Sequence, residues 1–295
     1  MNESQVAADR LMIELTTIPD LKSWSRAQRV AGRRIGLVPT MGFLHEGHLA
    51  LVDEARRWVQ AVVLSIFVNP LQFGPGEDLA RYPRDLPRDR ALASTRGVDA
   101  LFVPSAAAMY PPGSEVRVVP GPIAERWEGA ARPGHFSGVL TVVAKLFHLV
   151  EPDLVCFGQK DVQQLTLVRR MVRDLDWPVE IVAVPTVREP DGLALSSRNA
   201  YLGEKDRRRA VVLSRALQAA HRAWHGGETR PAALEAAMRY ELSTEPTVTV
   251  EYISVADPEA LAPVDTADQH SVVAIAARIG GTRLIDNIKL GEGIR

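Results

Sequence analysis

The sequence predicts an α/β fold: a doubly wound parallel sheet followed by a smaller α+β domain. Three observations predict it. Short apolar runs alternate with segments of helical spacing through the first two thirds of the chain. The runs are near continuous and partly β-branched, as expected of strands buried on both faces. The last third changes to long amphipathic helices followed by alternating apolar and polar residues. The change falls near Val187, which gives a larger domain over 1–186 and a smaller one over 187–295.

The elements follow in order. Residues 35–38 form a compact apolar run after a basic helix end, and Pro39 stops it, as for a short strand. Residues 49–59 have helical spacing, with Leu49, Val52, Ala55 and Val59 on one face. The run 61–68 is a strand broken by Asn69-Pro70, and 100–103 is another, ended by Pro104. Then 139–150 reads as helix, 154–157 as strand, 161–174 as helix and 179–184 as a strand closed by Pro185. Residues 72–87 hold Gly74, Pro75, Gly76, Pro83 and Pro87, too broken for regular structure, and read as a flap. Residues 110–122 are a second Pro/Gly-rich insertion. Residues 204–224 predict one long helix ended by Gly226-Gly227, and 231–242 predict another. Runs at 247–255 and 271–279 and a short segment at 283–285 complete the α+β unit.

Composition narrows the function. The 295 residues are 46% apolar, enough for a real core. The 35 basic and 36 acidic side chains leave a net charge of −1, so neither nucleic acid nor an anionic membrane is the expected partner. Residues 1–11 hold no apolar signal-peptide core, and no apolar run approaches the roughly 20 residues of a membrane helix. The single cysteine, Cys156, excludes an internal disulfide framework and a multi-cysteine zinc site. A reducing, cytoplasmic setting is expected.

Four clusters carry chemistry. The sharpest is Pro39-Thr40-Met41-Gly42-Phe43-Leu44-His45-Glu46-Gly47-His48, between a strand and a helix. A helix start offers backbone N–H groups and a positive dipole end to a phosphate, and two imidazoles there could carry charge developing on phosphate oxygens. A solvated surface turn is the plain alternative. Zinc is the other, but His-Glu-Gly-His is not the His-Glu-x-x-His of a metalloprotease helix. Neither Gly-x-x-x-x-Gly-Lys-Ser/Thr nor Gly-x-Gly-x-x-Gly occurs, against a P-loop NTPase and a dinucleotide oxidoreductase. The second cluster is Phe157-Gly158-Gln159-Lys160-Asp161-Val162-Gln163-Gln164, where Lys160 is one of five lysines and Asp161 suits a helix N-cap. Alone, it would be an ordinary capped helix. The third, Asp191-Gly192-Leu193-Ala194-Leu195-Ser196-Ser197-Arg198-Asn199, combines hydroxyls with a guanidinium, a workable phosphate clamp. The fourth is Asn69-Pro70-Leu71-Gln72-Phe73-Gly74, where Gln72 suits a small polyol or carboxylate. All four lie beyond predicted strand ends or at the domain junction, so together they form a candidate nucleotide site.

With these stretches in place, the chain resembles the pantoate–β-alanine ligase family, among the nucleotidyltransferases with a His-x-Gly-His signature. The matching stretches are 39–48, 66–74, 132–147 (RPGHFSGVLTVVAKLF), 157–164 and 191–199. The resemblance implies a Rossmann-like catalytic domain over 1–186, with 187–295 covering the site. It implies ATP-dependent condensation of pantoate with β-alanine to pantothenate through a pantoyl-adenylate, with release of AMP and pyrophosphate. ATP contacts are implied at Met41, Gly42, Phe43, Leu44, His45, Glu46, Gly47 and His48. Further ones are implied at Gly158, Gln159, Lys160 and Asp161, and at Val187, Leu195, Ser196, Ser197 and Arg198. His48 matches the family's proton donor, and His45, His48 and Lys160 form the implied catalytic set. Gln72 and Gln164 match pantoate-binding glutamines, and Gln72 also borders the β-alanine position. Leu195 stands where the family often has methionine, a swap of similar volume.

Magnesium is expected with ATP, with Asp89 as the candidate contact. Arg132 and His135 lie in a matching stretch without an assigned role. A homodimer is implied. Three rivals stay open: a nucleotidyltransferase that stops at the nucleotidylated product, a class I aminoacyl-tRNA synthetase fragment, and a non-catalytic nucleotide-sensing module. Near-neutral charge weighs against the second, and His45, His48 and Lys160 weigh against the third.

Overall fold

The computed structural model describes residues 11–294. The reading of 1–11 therefore falls almost wholly outside the described residues. Six strands, β1 (Ile13–Leu15), β2 (Ile35–Thr40), β3 (Ala61–Ile66), β4 (Ala100–Phe102), β5 (Leu154–Gly158) and β6 (Glu180–Val184), form one sheet in the order β1-β4-β3-β2-β5-β6. The β1–β4, β4–β3, β3–β2 and β2–β5 pairings are parallel. From β2 the chain runs outward through β3 to β4, then returns to β5 on the other side of β2. The switch point of a doubly wound sheet thus lies between β2 and β5.

The intervening helices are α1 (Ile18–Val30), α2 (Glu46–Trp58), α3 (Leu86–Thr95), the one-turn α4 (Ala106–Met109) and α5 (Glu128–Ala131), α6 (His135–Val150) and α7 (Val162–Asp174). Val38, Val62 and Leu64 pack with Leu51, Val52 and Ala55 of α2 and Ala93 of α3. The alternate residues Leu37 and Val63 are equally buried, so the central strands are covered on both faces, which is why they read as continuous apolar runs.

The chain folds as two units. The first takes Met1–Gly121, Glu128–Phe157 and Leu167–Val184, and the second takes Pro122–Trp127, Gly158–Thr166 and Pro185–Arg295. In the second, α8 (Glu204–Ala210), α9 (Val212–His225) and α10 (Pro231–Leu242) precede an antiparallel sheet of β7 (Thr249–Ala256), β8 (Val272–Ile279) and β9 (Thr282–Lys289). Leu213, Leu217, Leu234 and Met238 from the helices bury against Ile253, Val273 and Ile275 from the sheet.

Several elements differ from the expectations. β2 continues through Pro39 to Thr40. Its pairing with β5 covers Gly36 and Leu37, while Pro39 aligns with Ser65 of β3. Proline thus sits where only one neighbour is paired, which its missing N–H tolerates. The flap region contains 3-10 turns at Pro70–Gln72 and Asp78–Ala80, and α3 begins within it. Asp85 caps α3 by accepting from Arg88 N at 3.1 Å, and Pro87 stands in the first turn, where a helix accepts it. The expected long helix is divided at Val211, whose φ −60° and ψ −21° remain helical. Val211 N bonds to Arg209 O, while Val211 O still accepts from Arg215 N at 3.1 Å and also from the Ser214 hydroxyl at 2.9 Å, so the break lies on the N–H side without a change of backbone class. The segment expected at 283–285 is the eight-residue β9.

Candidate active site

The turn after β2 is built from its buried side. The Thr40 hydroxyl donates to Ser65 O at 2.7 Å and accepts from Gly42 N at 3.2 Å. Gly42 has φ +82°, and a Cβ there would stand 2.8 Å from Ile66 Cγ2. Only glycine fits both the left-handed backbone and that approach. Phe43 N and Leu44 N donate to the two carboxylate oxygens of Asp89, at 2.8 and 2.7 Å. Asp89, from α3, is 1% exposed. Burial raises its carboxyl above the usual aspartate value, against the opposing pull of the two amides.

Asp89, the candidate magnesium contact on the sequence, has a structural role here. Both oxygens of a buried carboxylate are committed to the turn, so Asp89 anchors the loop. Among the described residues no group of three or more His, Cys, Asp or Glu side chains is placed to hold a metal ion.

The two histidines follow. His45 is the N-cap of α2, and its Nδ1 accepts from Gly47 N at 3.2 Å. His48 Nδ1 accepts from His45 N at 3.4 Å. The pair forms a reciprocal capping box, with ring centroids 4.0 Å apart. Each Nδ1 is an acceptor, which assigns the ring proton of each imidazole to Nε2. The helix start therefore differs from the expectation. The amides of Gly42, Phe43, Leu44, His45 and Gly47 bond within the protein, and His48 N donates to His45 O at 2.8 Å. With these amides engaged, the two imidazoles are the polar side chains that this helix start brings together. Leu44 is fully buried, and Glu46 is ion-paired to Arg96 at 2.7 Å.

Gln72 ends the 3-10 turn Pro70–Gln72 after β3. Asn69, 1% exposed, donates from Nδ2 to Gln72 Oε1 at 3.0 Å and to Gly138 O at 3.1 Å. Asn69 Oδ1 accepts from Leu71 N at 3.3 Å and from the Tyr110 hydroxyl at 3.0 Å. Gln72 Nε2 approaches Met41 Sδ at 3.2 Å, which brings two predicted site residues together. Burial pushes the Tyr110 phenol up to about 12, so it stays a donor.

The Gln72 carbonyl accepts from Arg132 Nη2 at 3.1 Å and from His135 Nδ1 at 2.8 Å. Burial, reinforced by the Arg132 charge, pulls His135 down to about 4. It is thus neutral, with its proton on Nδ1 and Nε2 accepting from Arg132 Nη1 at 3.1 Å. Arg132 also holds Glu77 with two bonds, at 2.9 and 2.6 Å. Burial raises the Glu77 carboxyl, but Arg132 outweighs it and leaves it below the usual glutamate value. The matching stretch without an assigned role is therefore a clamp on the segment 72–77. A cavity of about 300 Å³ opens at the carboxyl ends of β2, β3 and β4, bordered by Met41, Phe43, Phe67, Asp89 and Val103.

The remaining predicted residues belong to the second unit. Gln159, Lys160 and Asp161 form a 3-10 turn with Gly158 at its N-cap. Asp161 directly precedes α7, and Gln164 is in its first turn. Val187 O accepts from Leu195 N at 3.0 Å, closing the loop that carries Ser196, Ser197 and Arg198. Ser196 caps the 3-10 turn Ser197–Tyr201 by accepting from Arg198 N at 3.3 Å. Missed on the sequence were Tyr110, Gly138, Arg188, Asp286 and Asn287. Only the last two leave a signal, as adjacent polar residues inside an otherwise apolar run.

Comparison with known proteins adds an independent line. Residues 14–289 match the family model for pantoate-beta-alanine ligase. The chain is 52% identical over 274 residues to a pantothenate synthetase of Heliobacterium modesticaldum, covering 93% of this chain and 98% of the relative. It is 55% identical over 263 residues to one from Roseiflexus castenholzii, covering 89% and 95%. The crystal structure of a pantothenate synthetase from Thermus thermophilus is similar with a TM-score of 0.90 at 50% identity, covering 95% of this chain and 99% of that one. A pantoate-beta-alanine ligase from Francisella tularensis, complexed with beta-gamma ATP and beta-alanine, is similar with a TM-score of 0.78 at 33% identity, covering 97% and 100%.

Proposed function

The chain belongs to the pantoate–β-alanine ligase family, and from that membership we propose how its own residues carry the reaction. It is an ATP-dependent, amide-forming ligase that joins pantoate to β-alanine. A pantoate carboxylate oxygen attacks the α-phosphorus of ATP, the bond from that phosphorus to the bridging oxygen breaks, and pyrophosphate leaves. The β-alanine amine then attacks the acyl carbon of the pantoyl-adenylate. The acyl–oxygen bond breaks, AMP departs, and the amine loses a proton to give pantothenate. The protein forms no bond itself; it aligns reactants and neutralises phosphate charge.

His45 and His48 donate from Nε2 to ATP oxygens that gain charge as pyrophosphate leaves, with His48 as the proton donor. Lys160 supplies the fixed cation, and Ser196, Ser197 and Arg198 supply donors to the same nucleotide. Met41, Gly42, Phe43 and Gly47 give ATP its backbone approach, with Gly158, Gln159, Asp161, Val187 and Leu195 completing the nucleotide contacts. Gln72 and Gln164 bind pantoate. Magnesium would accompany ATP and neutralise phosphate charge there, with Asp89 as its candidate protein contact. The enzyme acts in the cytoplasm as a homodimer.

The observation that carries this reading is the capping box, which fixes two Nε2–H donors side by side at the carboxyl end of β2. Its test is His48→Ala. Adenylate formation, followed as pantoate-dependent exchange of pyrophosphate into ATP, falls by about 10²-fold or more while the circular dichroism spectrum is unchanged. Wild-type exchange in that variant refutes the role.

A further inference from the structure

Strand β9 carries Asp286 and Asn287 mid-strand, 2% and 7% exposed. Burying two adjacent polar side chains in a three-stranded sheet is unfavourable unless they are fully bonded. Here they are. Asn287 Nδ2 donates to Gln159 O at 3.1 Å and to Lys160 O at 2.8 Å. Two carbonyl acceptors leave no choice for the amide: its NH₂ faces the 3-10 turn. Asp286 takes Arg188 in a two-bond pair, at 2.6 and 3.0 Å, with the side chains 2% and 6% exposed. Arg188 also donates to Gly192 O at 3.1 Å and Asn287 O at 3.4 Å. It bridges to Ala194 across the loop, and Asn199 Nδ2 donates to Ala194 O at 3.1 Å. Arg188 thus closes the loop that leads to Ser196, Ser197 and Arg198.

From this geometry we infer that Asn287 is a positioning residue for ATP binding: with Asp286 and Arg188 it makes one buried hub that fixes both the Lys160 turn and the 187–199 loop. The two segments lie about 30 residues apart in sequence, and each is a short turn with little core of its own. Rigid attachment to a buried strand residue supplies the precision that a phosphate-binding ammonium needs. The hub acts through backbone carbonyls and touches no substrate, so its effect is felt at ATP and not at pantoate. This inference rests on the reading of Lys160 as an ATP cation.

The test uses Asn287→Asp, which keeps the shape but turns an oxygen toward two carbonyls, and Asn287→Ala, which removes the group. Both are measured beside Lys160→Ala and Asn287→Asp/Lys160→Ala, for KM of each substrate in pyrophosphate exchange and for melting temperature. Expected is a rise of about tenfold in the KM for ATP with the pantoate KM unchanged, and a double variant no worse than Lys160→Ala alone. Losses that multiply, or equal rises for both substrates, overturn it. So does loss of secondary structure in both Asn287 variants, which would make the hub a plain core element. An ATP response in Lys160→Ala beside wild-type behaviour of both Asn287 variants overturns this inference only. An unresponsive Lys160→Ala removes the reading beneath it as well.

Discussion

Asn69 has an amide whose orientation is unambiguous. Leu71 N can only donate to it and Gly138 O can only accept from it, so Oδ1 and Nδ2 are assigned by chemistry. The assignment propagates: the Gln72 atom facing Asn69 is Oε1, which commits Gln72 Nε2 to the role of donor. Tyr110 supports the arrangement by donating to Asn69 Oδ1, and Lys145 lies over its ring at 5.6 Å while donating to Met109 O. Tyr110→Phe removes one hydroxyl and little volume. We expect the pantoate KM to rise roughly fivefold, the equivalent of about 1 kcal/mol for one hydrogen bond, with the ATP KM unchanged. An unchanged pantoate KM in steady-state assays contradicts the relay. At this scale, the residues proposed to present chemistry are visible in the sequence by type, as an imidazole pair, a rare lysine and two glutamines. The residues that hold them are not. Tyr110 lies 41 positions from Asn69, and nothing local marks its hydroxyl as a partner.

Among elements, the close approach of α6 to the Pro70–Gln72 turn depends on Gly138. A Cβ there would stand 2.1 Å from Leu71 O and 2.6 Å from Gln72 N, and backbone cannot yield as a flexible side chain can. Gly138→Ala should cost about 1–3 kcal/mol of stability as an overpacked contact. It should also raise the pantoate KM, because the displaced turn is the one that carries Gln72. Chemical denaturation and steady-state kinetics on one preparation check both. Strands β2 to β5 were legible as runs because burial on both faces leaves a continuous apolar signal. The signal failed for β9, where Asp286 and Asn287 occupy buried positions and break the pattern that marks a strand. It failed for α3 because Pro83 and Pro87 read as breakers, while Pro87 in a first helical turn is favourable. Both places also hold residues that position others: the hub in β9, and Asp85 and Asp89 at the start of α3.

For the whole molecule, two consequences follow. The first is acid sensitivity. His135 binds its proton at about 4 in the folded protein, against 6.5 ordinarily. Between those values the unfolded chain holds a proton that the folded one refuses, so stability is lost as pH falls through that window and is fully present above it. The contribution is at most roughly 3 kcal/mol. Melting temperatures from pH 7 to pH 4 should therefore fall more steeply for the wild type than for His135→Asn, and parallel curves would deny it. The second concerns the reaction. No helix among the described residues is long and apolar enough to cross a membrane. The chain matches family members across nearly their full length, and the proposed reaction has two halves. Exchange of labelled pyrophosphate into ATP, with pantoate present and β-alanine omitted, tests the first half-reaction most directly. Exchange that depends on pantoate and precedes any AMP release is predicted. Pantothenate formation without such exchange, or exchange indifferent to pantoate, would contradict an acyl-adenylate ligase.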